Sequence, residues 1–158
     1  MRDSSVPLIQ SVNQSGDDSN DWVYRHEWSV EGQQKLSHAL SEAVGFDFQA
    51  GRRDESTHPF CGGSNPDDVR WTTRYDVKEP WGAIFGALHE TGHALYELNL
   101  PEKWNYQPVG KARGMAMHES QSLMIEMQIT RSQAFKKFLS KLLKNKSKAF
   151  PDFSIHDI

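Results

Sequence analysis

The segment PWGAIFGALHETGHALYELNLP, residues 80–101, decides how the rest of the chain is read. Pro80 suits the first turn of a helix and Pro101 stands just past its end, so this punctuation predicts one helix between them. Trp81, Ile84, Phe85, Leu88 and Leu95 recur at helical spacing and form an apolar stripe along it. His89 and His93 are four apart and share one helical face, so both imidazoles can reach a single metal ion. Glu90, beside them, completes an H-E-x-x-H pattern. The chemistry of that pattern uses two neutral nitrogen ligands, an open coordination position and a carboxylate. Zinc brings its water to a pKa near neutrality, and Glu90 is placed to take the proton as general base. The same string arises by accident as two surface histidines on a helix. Its placement inside an apolar helical pattern favours the metal reading.

Such a site needs a third protein ligand. The sequence offers Glu119, within His118-Glu119-Ser120-Gln121-Ser122, on a second long helix predicted from about Ala112 past Phe138 and as far as Leu143. Two histidines and one glutamate are an established catalytic zinc set. Glu126, seven residues on and on the same face, is placed to accept a hydrogen bond from a ligating imidazole and fix its tautomer. Gly86 and Gly92 each cost a helix about 1 kcal/mol. Their bare backbone would let the second helix or a strand approach the metal face.

Working outward, Val30, Leu36, Leu40 and Val44 recur near helical spacing over 29–44, with Gly45 as the stop. Residues 46–66 read as irregular, interrupted by Gly51, Pro59, Gly62, Gly63 and Pro66. Residues 68–75 read as a strand, with Val69, Trp71 and Thr73 on one face and Asp68, Arg70 and Thr72 on the other. Residues 101–110 read as a loop, and 1–21 as a poorly ordered segment or linker preceding a domain over 22–158. The fold class is mainly α, a helical core with a small β element.

Composition bounds the function. The 158 residues suffice for one ordinary domain, and the 37% hydrophobic content lies on the polar side for a self-contained globule. A net charge of −3 offers no global attraction to nucleic acid or to an anionic membrane, so neither is expected as a partner. The single cysteine, Cys61, makes no internal disulfide framework. No apolar run reaches membrane-span length, and the start lacks the layout of a signal peptide. The expectation is a soluble cytoplasmic protein, with a homo-oligomer left open.

At this point the residues resemble a specific family, the M32 metallocarboxypeptidases. Four of its motifs occur in order: His58-Pro59-Phe60 for H-P-F, Asp68-Val69-Arg70-Trp71-Thr72 for D-x-R-x-T, HETGHALYE from His89, and GMAMHESQS at 114–122 for H-E-S-Q. The stretch GFDFQAGRRDESTHPF before them is also similar. The resemblance covers roughly residues 22–150. It implies a largely helical fold around a groove, with one zinc ion per chain held by His89, His93 and Glu119 and with Glu90 as base. Other divalent ions are accepted by such ligands in vitro. It also implies a peptide substrate that loses single residues from its C-terminus, with the strand at 68–75 beside the groove and its edge free to pair with that peptide. His58, Arg70 and Asp68 become groove candidates. Set against that are plain structural roles, an Arg70–Asp68 ion pair and a loop-bracing His58.

The family's downstream motifs, I/V-R-x-x-A-D and G-x-x-Q, do not occur here, so the resemblance implies a central slice of such an enzyme. Two other readings follow: an endopeptidase of the wider H-E-x-x-H group, and a zinc-binding fragment incomplete for substrate recognition. Lys136, Lys137, Lys141, Lys144, Lys146 and Lys148 read as a solvated helix face, because stacking aromatics are not interleaved with them. Met115, Met117, Met124 and Met127 read as packing residues along a helix. Cys61 has no partner at metal spacing and is read as incidental. Trp22, Trp28 and Trp104 stand outside the two long helices, as covers over apolar surface or as exposed rings.

Overall fold

The structure, a computed structural model, describes residues 5–7, 9–11 and 27–145. Residues 5–7 and 9–11 are helical with exposed side chains. The remainder of 1–21, Trp22, and Lys146 and Lys148 fall outside the described residues.

Helix α1 (Val30–Ala43) starts where Ser29 Oγ accepts a hydrogen bond from the Gly32 N–H at 3.1 Å, which satisfies one of the orphan donors of a first turn. It ends at Gly45, whose φ of 106° only glycine adopts without strain. The Gly45 N–H bonds Glu42 O at 3.0 Å and the Phe46 N–H bonds Ser41 O at 2.9 Å, a Schellman closure. Leu36 and Leu40, one turn apart, are fully buried.

Three strands follow: β1 (Gly51–Glu55), β2 (Phe60–Asn65) and β3 (Asp68–Thr73). They form one sheet in the order β1-β3-β2, with β1 parallel and β2 antiparallel to β3. Two of these strands lie in the stretch expected to be irregular. Its prolines turn out to be boundaries, since Pro59 precedes β2 and Pro66 follows it. Ladder pairing with β3 then outweighs the local glycines, whose cost is tolerable on edge strands. On β3, Val69, Trp71 and Thr73 are buried and Arg70 is exposed, as the alternation requires. Thr72 departs from it. Thr72 is buried, and its Oγ1 shares a hydrogen bond with Ser56 Oγ at 2.6 Å. The strand is central, with both edges occupied, so the expected pairing of a peptide with its edge is excluded. The outer edges of this sheet belong to β1 and β2.

Helix α2 (Pro80–Leu98) is the hub. Glu79 caps it by accepting from the Gly82 N–H, and Pro80 occupies the first turn as expected. Ile84 and Leu88 join Trp28, Leu36, Leu40, Ile125, Phe135, Leu139 and Leu143 in the larger core cluster. Ala87 and Ala94 face the sheet, with Phe46, Val69 and Trp71. A helix buried on two sides can hold its remaining face in a fixed orientation.

The loop after α2 contains two short 3₁₀ turns, Glu102–Trp104 and Pro108–Gly110. The second long helix starts later than expected and is broken. Helix α3 (Met115–Leu123) passes into a π-helical segment, Met124–Ile129, where the Thr130 N–H reaches back to Ile125 O at 3.0 Å. Ser132 then accepts from the Phe135 N–H at 3.1 Å and begins a new helix, α4 (Gln133–Asn145). That local capping bond competes with helix continuation and explains the interruption. On α4, Phe135, Leu139 and Leu143 are buried while Lys137, Lys141 and Lys144 are exposed, as a solvated face requires, and Lys136 is half-buried. Trp28 is fully buried and Trp104 exposed. The methionine expectation fails. Met115, Met117, Met124 and Met127 are 82%, 47%, 43% and 43% exposed, because no described element packs over that side of α3.

Candidate metal centre

Two consecutive helical segments meet at Gly92. A Cβ added there would stand 2.6 Å from Ser122 Cα and 2.7 Å from Gln121 O, so only glycine permits this approach of α2 to α3. Gly86 has no such neighbour, since its added Cβ would meet only Thr73 Oγ1 at 3.7 Å. The expectation for Gly92 holds, and that for Gly86 does not. Thr91, adjacent, anchors α2 from behind through a 2.9 Å hydroxyl contact with Ser41 of α1.

Across this contact, His89 and His93 of α2 face Glu119 of α3. Glu119 Oε2 lies 3.3 Å from His93 Nε2 and 3.9 Å from His89 Nε2. One ligand atom from each of the three lies within 4.8 Å of the others, close enough to share a cation. Two imidazole nitrogens and a carboxylate oxygen form the donor set that zinc accepts in catalytic sites.

Each imidazole is oriented from its far nitrogen. His89 Nδ1 donates to Glu126 Oε2 at 2.7 Å, so its Nε2 carries the lone pair. Glu126 sits in the π-helical segment, a type of irregularity common at functional sites. His93 Nδ1 lies 2.6 Å from His118 Nδ1 and 3.1 Å from His118 O, and His118 Nε2 lies 2.7 Å from Glu97 Oε1. Burial holds the His93 pKa below its ordinary value, helped by the neighbouring His118 and His89. The neutral, ligating form is thereby favoured.

Glu90 is 7% exposed, and its Oε2 is buried without a hydrogen-bond partner. Burial pushes its pKa up, against the pull of His89 and with a further push from Glu119. A buried carboxylate oxygen without a partner is costly, and a cation or a water molecule beside it would relieve that cost. The residues present therefore fit a bound divalent ion.

The remaining candidates are not among the three residues grouped here. The Arg70 guanidinium is committed to Asp68, at 2.9 and 3.2 Å on the exposed face of β3. The His58 side chain is exposed, while its carbonyl accepts from Ser56 Oγ at 2.6 Å, a loop-bracing role. The Cys61 thiol is pushed up to about 12, first by burial and then by the negative charge of Glu90 and Glu97. It is protonated at neutral pH and, as expected, outside the ligand group. Sequence reasoning passed over His118 and Glu97. Glu97 stands four residues after His93, the same spacing that links His89 to His93, and that was the available signal.

Comparison with known proteins places this geometry in context. The family described as carboxypeptidase Taq (M32) metallopeptidase matches residues 1–157. Carboxypeptidase 1 of Bacillus subtilis is 37% identical over 158 residues, which is 99% of this chain and 32% of that protein. Thermostable carboxypeptidase 1 of Thermus thermophilus is 40% identical over 128 residues, 81% of this chain and 25% of that protein. The crystal structure of the M32 carboxypeptidase from Deinococcus radiodurans R1 superposes with a TM-score of 0.82 at 34% identity, covering 92% of this chain and 29% of that one. This chain thus spans between 25% and 32% of the length of these two curated relatives. Among the described residues, no helix is long and apolar enough to cross a membrane.

Proposed function

This chain belongs to the carboxypeptidase Taq (M32) metallopeptidase family, and from that membership we propose that it carries the centre of a zinc-dependent metallocarboxypeptidase, releasing C-terminal residues from peptides. The observation that carries the reading is the convergence of His89, His93 and Glu119 within 4.8 Å, beside a buried Glu90. A divalent ion bound there supplies Lewis acidity and makes hydroxide available near neutral pH. His89 and His93 would hold it through Nε2, and Glu119 would add a negative oxygen. Glu126 keeps the His89 proton on Nδ1 by accepting it at 2.7 Å. Glu90 would take a proton at its carboxylate from the attacking water and return it to the leaving amine as the peptide C–N bond breaks. In the metal-free protein, burial holds its pKa above the ordinary value, so the carboxylate has a higher proton affinity than a solvated glutamate.

A second reading has its own support, because the chain spans only 32% of the Bacillus relative. In it, these residues bind the ion, and turnover needs chain supplied from elsewhere in such a fold. One experiment separates the two. Residues 1–158 are analysed for bound zinc and assayed for release of the C-terminal residue from a short peptide, with Glu90→Gln alongside. Zinc at one per chain with Glu90-dependent release supports the enzyme. Zinc without release supports the second reading, and a folded chain that takes up no zinc rejects both. Cleavage of a peptide with a blocked C-terminus would instead mark an endopeptidase.

A further inference from the structure

The described contacts contain a line of groups that leads away from the metal ligands. Glu97 Oε1 lies 2.7 Å from His118 Nε2, and His118 Nδ1 lies 2.6 Å from His93 Nδ1. A carboxylate accepts only, so in a neutral His118 the proton resides on Nε2 and Nδ1 is an acceptor. His93 must then donate from Nδ1, which leaves its Nε2 lone pair directed at Glu119, 3.3 Å away. All three side chains are largely screened from water, at 22%, 16% and 12% exposure for Glu97, His118 and His93. The His118 ring is further held edge-on by Tyr96 at 5.2 Å, and Tyr96 Oη accepts from the Arg113 N–H at 3.0 Å, just before α3.

We propose that His118 and Glu97 are positioning residues, a two-member relay that fixes His93 in its Nδ1–H tautomer and so prepares Nε2 for the metal. His89 has a single carboxylate, Glu126, for the same task, while His93 receives its orientation through an intervening imidazole. The inference rests on the reading of His93 as a ligand through Nε2. The structure also holds a competing partner for the Nδ1 proton. The His118 carbonyl is 3.1 Å from the same His93 nitrogen and would hold the proton without any help from the His118 ring.

The test uses the 158-residue chain and two readouts. Long-range ¹⁵N–¹H spectra of the metal-free protein report which nitrogen of His93 carries the proton, and chelator competition gives the zinc affinity. In the wild type His93 should be the Nδ1–H form. His118→Phe keeps the packing against Tyr96 but removes the ring acceptor, and should give mixed His93 tautomers. The same variant should bind zinc roughly 10–100-fold more weakly, the usual loss for an outer partner of a ligand. His118→Asn, whose amide oxygen can replace Nδ1, should restore most of both. Glu97→Leu, which frees His118 to move its proton to Nδ1, should act in the same direction and to a smaller extent. An unchanged His93 tautomer and unchanged zinc affinity in His118→Phe would overturn the relay in favour of the carbonyl. So would a wild-type His93 protonated on Nε2. Should the wild type bind no zinc, the function proposed above fails, and the tautomer measurement alone decides the relay. Should His118→Phe prove destabilised, the Glu97→Leu spectrum decides: mixed His93 tautomers support the relay, and an unchanged Nδ1–H form overturns it in favour of the carbonyl.

Discussion

At the residue scale, the most informative group is Glu90, which the fold buries although its charge is needed. Its carboxyl is held above its ordinary value of 4.5, with burial as the largest cause. Linkage gives the sign. Below about 4.5 the carboxyl is protonated in both folded and unfolded chains and has no effect. As pH rises through the raised folded value, the unfolded chain ionises more readily, and stability falls. Urea unfolding of the metal-free wild type and Glu90→Gln should therefore diverge as pH rises from 4 toward 7, with the glutamine variant the more stable at neutral pH. Parallel curves would mean that Glu90 ionises without cost. For the enzyme reading, the same variant should keep its zinc and lose about 10²-fold or more in turnover, since it can no longer accept a proton.

The element scale is set by how closely α2 and α3 approach. Gly92→Ala forces a Cβ into the α3 backbone and should cost about 1–3 kcal/mol by overpacking, read from the urea midpoint. Gly86→Ala, with only Thr73 Oγ1 at 3.7 Å to meet, should stabilise by up to about 1 kcal/mol through helix propensity. Equal effects from the two would contradict the close contact. Much at this scale was legible in the sequence. The period of Ile84 and Leu88, the flanking Pro80 and Pro101, and the stop at Gly45 each express a local rule that nothing distant overrides. Strands β1 and β2 were not legible, because their order comes from the pairing partner β3 and not from their own glycine-containing sequence. The break at Ser132 was hidden too. An apolar pattern continues across it, while the cause is one side-chain hydrogen bond to the Phe135 N–H.

At the scale of the whole molecule, the larger core joins α1, α2, Ile125 of the π-helical segment and α4 through Leu36, Leu88, Ile125 and Leu139. Leu88→Ala removes a fully buried side chain from its centre and should cost about 2–5 kcal/mol. Replacing exposed Met115, Met124 and Met127 by glutamine should leave the unfolding midpoint nearly unchanged, within about 0.5 kcal/mol each. A large loss would show that these side chains pack in solution. The candidate ligands were readable because His89 and His93 obey helical spacing and Glu119 stands in the H-E-S-Q stretch of the next predicted helix. Their orienting partners were readable only in part. Glu126 shares a helical face with Glu119, whereas His118 acts through a nitrogen whose direction only three-dimensional contact reveals.

The Gly92 contact has one further consequence. His89 and Glu126, the outermost groups of the constellation, are 37 positions apart, and a single loop separates the helices that carry them. A cation shared across the seam would work as a removable rivet between neighbouring segments, adding stability as RT ln(1 + [L]/Kd). Because no described element covers one side of α3 while α2 is clasped by sheet and core, that gain should concentrate in α3 and the π-helical turn. Amide hydrogen exchange there should slow on adding zinc and quicken under chelator, with the centre of α2 little altered. The stretch that grips the ion would thus double as a gauge of its presence.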